Sequence, residues 1–253
     1  MKSNTLITRD LQAFLLLWIT QSFSQLGSSL TSFALILYLY EKSGSALSTA
    51  LLSVCSYAPY ILLSMFAGAL SDTWNKKRTM LVCDSLAAIS TIVVFVLLQT
   101  DHLQIWHLYG LNAVNGIMNT VQQPAAEVAV RLITPRTLYQ KVSGLKSFSN
   151  ALNTMLTPII ATALYAFAGM QAIILVDVST FLVAFIVLWT LIRIPQQKPV
   201  SNAAKESVLK ATGEGIRYLK QNRGILNLIL FLAGINLTAS IYSYSMSKGL
   251  FAG

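Results

Sequence analysis

The feature that most constrains this chain is the alternation of long apolar runs with short segments that carry nearly all of its positive charge. Runs near 11–40, 46–71, 79–100, 105–130, 142–168, 171–192 and 225–247 can each cross about 30 Å of hydrocarbon at about 1.5 Å per residue. Basic residues fall on alternate connections. Lys2 and Arg9 precede the first run, and Lys76, Lys77 and Arg78 follow the second. Arg131, Arg136, Lys141 and Lys146 follow the fourth, and a basic segment from Arg193 to Arg223 follows the sixth. Of the 18 lysines and arginines, all but Lys42 and Lys248 lie on one side. The positive-inside rule then predicts a cytoplasmic N-terminus in a multi-pass protein of the inner (plasma) membrane. The first run is overlong, so it is expected to tilt or to end before Tyr40.

Charge content excludes a soluble domain. Charged residues make up 11% of the chain and hydrophobic ones 55%, against about 25% charged in soluble domains. With mean hydropathy +0.62, the lipid bilayer is the natural solvent. The net charge of +9 reads as a topology signal, and nucleic acid is not expected as a partner. A cleavable signal does not fit, because the first run far exceeds a core of about 7–15 residues. Cys55 and Cys83 lie in separate runs at different depths, so no disulfide is expected. No His/Cys group has metal spacing, no glycine loop is built for phosphate, and no nucleophile–base pair is evident. The fold class is therefore an all-α integral membrane protein, with no metal, cofactor or enzymatic activity expected.

Three regions follow: a six-span bundle over 1–192, a cytoplasmic linker over 193–224, and 225–253 with a seventh span. In the linker, Pro195 and Pro199 favour an extended exit. Val208, Leu209, Ile216 and Leu219 can share one face of a short amphipathic helix on the inner leaflet.

Polar residues inside a membrane are expensive and invite a functional reading. The fourth span carries Asn112, Asn115, Asn119, Gln122 and Gln123 at helical spacing. The first carries Gln21, Ser24, Gln25, Ser28 and Ser32, and the fifth Asn150, Asn153, Thr154 and Thr157. A wet cavity wall and interhelical hydrogen bonding both fit these stripes. Asp177 in span six and Asp84 in span three are candidate proton sites, with structural hydrogen bonding as the alternative. Glu127 is expected to pair with Arg131 one turn on. His102 and His107 fall at the outer boundary, where solvation explains them.

The loop after span two, GALSDTWNKKR, is the most specific signal. Gly68, Leu70, Asp72, Lys76 and Lys77 resemble the G-x-L-[AS]-D-x-x-G-[RK]-[RK] signature of the major facilitator superfamily. Thr73 replaces the usual Arg and Asn75 the second Gly, and Asn can adopt the left-handed turn. VQQPAAEVAVRLITPRTL, AIILVDVSTFLVAFIVLWTLIRIP and GIRYLKQNRGILNLILFL resemble the macrolide-efflux and related multidrug exporters within that superfamily. The antiporter signature of span five is weak, since NTMLTPIIATALYA carries Thr157 and Ala161 where glycines are usual.

The resemblance implies a six-helix bundle of the major facilitator fold plus a seventh span, truncated relative to twelve. It implies export of an amphipathic small-molecule substrate by alternating access, with protons as the coupling ion. Gly68, Asp72, Lys76, Lys77 and Arg78 would form a gating loop. Gln21, Gln25, Asn112, Asn115, Asn119 and Gln123 would line the substrate cavity. With seven spans, the chain alone is expected not to transport, and a scaffold or regulatory fragment is the alternative.

Overall fold

A computed structural model describes residues 2–192, 194–195, 213 and 217–251, with the side chains of 12, 14–64, 74–135, 137–192, 194–195, 213, 217–236 and 238. The chain divides into two compact units, Met1–Ala204 and Lys205–Gly253. The expected amphipathic helix of the linker lies outside the described residues apart from Gly213 and 217–221, which are helical.

The first unit is built from five long helices: α1 (Lys2–Ser43), α2 (Ala46–Thr73), α3 (Lys76–Gln99), α4 (Ile105–Ile133) and α5 (Tyr139–Thr190). A single 3-10 turn, Arg136–Leu138, leads into α5. In the second unit, α6 covers Arg223–Phe251. The fifth and sixth spans expected from sequence are the two halves of α5, which bends sharply between them. Gly169 alone separates them, at φ 74 and ψ 178. This left-handed backbone suits glycine, and it falls between the apolar runs 142–168 and 171–192. Pro59, Pro124 and Pro158 sit inside α2, α4 and α5.

Among the described residues, Ala46–Ser64, Lys76–Gln99 and Tyr139–Thr190 are long and apolar enough to cross a membrane by length and composition. The amide and hydroxyl stripes of α1 and α4 hold those helices below the same measure. Their neighbours supply the lipid-facing surface. On α3, Val82, Leu86, Ile89, Val93 and Val96 recur at steps of four and three and are all exposed. On α2, Leu47, Leu51, Val54, Tyr57 and Ile61 do the same. Continuous apolar stripes of this kind fit acyl chains, not water.

Packing inside the bundle pairs α1 chiefly with α5, and α2 with α4. Two apolar cores form, one towards each end. Leu30, Ala34, Leu39, Leu52, Val94, Leu108 and Ile173 belong to one. Phe14, Leu17, Met80, Ala125, Ala129, Leu188 and Ile192 belong to the other, at the end that carries the Lys76–Arg78 loop. Close helix approach makes this possible. A Cβ on Gly116 of α4 would strike the carbonyl oxygen of Ser56 on α2. A Cβ on Gly27 of α1 would strike Thr180 Oγ1 and lie 3.0 Å from the Asp177 Cα.

The α2–α4 contact gives a direct test. Gly116→Val should destabilise the protein by about 1–3 kcal/mol, because its obstacle is backbone that cannot rotate away. Gly110→Ala, which meets open space, should not destabilise it. Thermal unfolding in detergent reads both, and equal behaviour of the two variants would refute the packing argument.

Candidate functional site

Between the two apolar cores lies a seam of polar side chains from α1, α3, α4 and α5. Its centre is Asp177, which is 4% exposed. Ser28 Oγ on α1 donates to Asp177 Oδ1 at 2.9 Å. Thr91 Oγ1 on α3 donates to Asp177 Oδ2 at 3.3 Å. Both carboxylate oxygens are thus held, from two different helices. Thr31 is buried and faces the same carboxylate. A carboxylate taken into the bilayer interior needs such donors, since lipid offers none.

Asp84 on α3 is the second acid of the seam. Gln122 Nε2 on α4 donates to Asp84 Oδ1. Gln21 on α1 faces the same carboxyl group, and its Nε2 is buried with no partner in hydrogen-bond geometry. Asp84 and Asp177 both line one small cleft of about 30 Å³, together with Ser24, Ser28, Ala87, Ala88, Thr91, Val178 and Phe181. That is room for about one or two waters. Among the described residues, no lysine, arginine or histidine lines the cleft.

Helix periodicity builds this site. Asp84, Ala87, Ala88 and Thr91 are spaced i, i+3, i+4 and i+7, so one face of α3 supplies an acid, two small residues and a hydroxyl. Ser24 and Ser28 stand one turn apart on α1. Gly27, beside them, lets α5 approach close enough for Ser28 to reach Asp177.

The amide stripe of α4 divides. Gln122 turns to Asp84, and Asn112 is buried and bonds to the carbonyl of Leu108 at 3.1 Å. Asn115 keeps a buried Oδ1 without a hydrogen-bond partner among the described residues. Asn119 and Gln123 are exposed, as is Gln25 on α1. The stripes of α1 and α5 meet each other in part, through Ser22 with Ser149 at 3.2 Å and Asn153 with Ser29 at 2.9 Å.

At the charged loop, the side chains of Gly68 and Asp72 lie outside the described residues; both positions fall in the last turns of α2. Asn75 does not adopt the left-handed turn expected of a glycine replacement. It is extended, at φ −69 and ψ 110, and its side chain accepts from the Arg78 amide at 3.2 Å. It is the N-cap of α3, a role for which asparagine is well suited. Lys76 is buried and bonds to the Trp74 carbonyl at 3.0 Å. Lys77 reaches α5, and Arg78 is exposed.

Two other expectations change. Glu127 pairs with Lys146 of α5 at 3.0 Å, not with Arg131, so the bond crosses between helices. His107 is more than a solvated boundary residue: its Nδ1 accepts from the Gln104 amide at 3.2 Å and caps α4. Cys55 and Cys83 are free, as expected.

Comparison with known proteins settles the family. Residues 17–251 match the model of the Major Facilitator Superfamily. The chain belongs to that superfamily. Macrolide efflux proteins are among its relatives. Macrolide efflux protein A of Streptococcus pyogenes is 26% identical over 217 residues, covering 86% of this chain and 53% of that protein. Macrolide efflux protein A of Enterococcus faecalis is 24% identical over 187 residues, covering 74% and 57%. The uncharacterized MFS-type transporter YkuC of Bacillus subtilis is 24% identical over 214 residues, covering 81% and 49%. The chain spans about half the length of these relatives. As a member of this superfamily it is a multi-pass membrane protein.

Thr91 was missed by sequence reasoning, although its i+7 spacing from Asp84 was there to be found. Thr91→Val should lower stability by about 0.6 kcal/mol, the average measured for interhelical hydrogen bonds in a membrane protein, and by no more than about 1.7 kcal/mol. In an Asp177→Ala background the same change should cost clearly less. Equal costs in the two backgrounds, from chemical or thermal unfolding, would show that the Thr91–Asp177 bond contributes nothing.

Proposed function

We propose that this bundle works in a proton-coupled exporter of amphipathic, drug-like compounds of the macrolide type. The observation that carries the reading is the pair of acids, Asp84 and Asp177, lining one cleft inside an otherwise apolar bundle. Each carboxyl group stands among neutral donors in a low-dielectric site, so either is suited to hold and release a proton. The groups facing the pair are neutral: Gln21, Ser24, Ser28 and Thr31 from α1, Thr91 from α3, and Gln122 from α4. Cys83, next to Asp84, is the other titratable neighbour.

The exposed amides Gln25, Asn119 and Gln123 form one wall of the substrate cavity, and Gln21, Asn112 and Asn115 stand behind it. A second six-helix bundle supplies the opposite wall, and rocking between the two gives alternating access. Without it the bundle does not transport. Inward proton movement supplies about 2.3 kcal/mol per charge per 100 mV. Asp72, Lys76 and Arg78 belong to the gate at the basic end, which faces the cytoplasm. The names of the Streptococcus and Enterococcus relatives support macrolides as the first compounds to try.

The test is accumulation of a labelled macrolide in cells expressing this bundle joined to a second six-helix bundle. Expression should lower accumulation, and an uncoupler should abolish the effect. Asp84→Asn or Asp177→Asn should reduce efflux at least tenfold at unchanged membrane abundance. Uncoupler-resistant efflux, or efflux unchanged in both variants, would contradict proton coupling at this pair. No effect of expression on any amphipathic compound would favour a scaffold instead.

A further inference from the structure

Lys77 belongs to the signature loop, but its bonds go elsewhere than a gate would need. Its Nζ donates to the carbonyl of Trp189 at 2.9 Å and to that of Ile192 at 2.7 Å, across more than a hundred residues of sequence. These oxygens stand at the end of α5. Carbonyls of a last helical turn have no intrahelical partner, and the helix dipole there favours a cation. The end of α5 is already drawn inward by Leu188 and Ile192, both 0% exposed in the core at that end. Ile194 packs on the same core just before Pro195 opens the linker. Apolar packing and one ammonium group thus hold the same few residues.

The three cations of the loop are therefore not equivalent. Lys76 is folded back on its own loop, at the Trp74 carbonyl. Arg78 is exposed, with only its backbone amide engaged by Asn75. We propose that Lys77 is a positioning residue that caps the sixth span and fixes the point at which the chain leaves the bundle for the linker. The charged loop and the root of the linker then move as one piece. This does not depend on the transported compound or on proton coupling.

Hydrogen–deuterium exchange of the 253-residue chain in lipid nanodiscs tests it. The informative amides are Leu191 and Ile192, both bonded to the Val187 carbonyl. Lys77→Met should raise their exchange several-fold, and Lys77→Arg should restore most of the protection. Arg78→Met removes the same charge from the same loop and should leave them unchanged. Three results would overturn the proposal: no change in Lys77→Met, an equal rise in Arg78→Met, or a rise shared equally by residues 170–176 at the other end of that span.

Discussion

The bundle depends on one hard requirement: Asp177, almost fully buried, must be kept hydrogen-bonded where lipid offers no donor. Ser28 and Thr91 meet it from α1 and α3, so a single carboxylate joins three helices. Hydrocarbon gives helices no hydrophobic reason to prefer one another over lipid, and close packing and polar bonds must do that work. Gly27 and Asp177 combine the two. The glycine lets α1 and α5 touch, and the acid gives the touching surfaces a common partner.

The rest of the bundle follows from where that seam lies. Above and below it sit apolar cores with distinct membership. The outward faces of α2 and α3 are continuous apolar stripes. Polarity is thus confined to mid-depth and to the charged ends. At the basic end, cross-helix bonds take over from hydrocarbon packing: Lys77 with the end of α5, and Glu127 with Lys146. At the opposite end, Tyr165 bonds Glu41 at 2.7 Å and Lys42 bonds the Leu103 carbonyl at 2.9 Å. Even Lys42, on the side poor in positive charge, thereby has a structural task.

Much of this was legible in the sequence, because helix length, apolar content and basic connections are local properties. The long helices of the first unit, the family resemblance and the two candidate acids all came from such signals. What sequence could not give was direction around each helix. The α4 stripe spans enough of an arc that Gln122 faces α3 while Asn119 and Gln123 face outward, and only packing decides that. Glu127 had a partner one turn away on its own helix, yet Lys146 is the one it meets, because an adjacent helix brings it within 3.0 Å. Asn75 was read through the glycine it replaces. Its actual role, the N-cap of α3, belongs to its own side chain. Gly169 is the contrary case, since the kink falls in the gap the sequence left between 168 and 171.

The central claim is that Asp84 and Asp177 act as one unit across their shared cleft. Infrared difference spectroscopy of the chain in lipid, followed against pH, tests it most directly. Carboxyl bands are assigned to each acid by their loss in the Asp84→Asn and Asp177→Asn variants. The account predicts that removing either carboxyl group changes the titration of the other, as coupled sites require. If each band titrates identically with and without its neighbour, the two acids are independent and the cleft is not a single site.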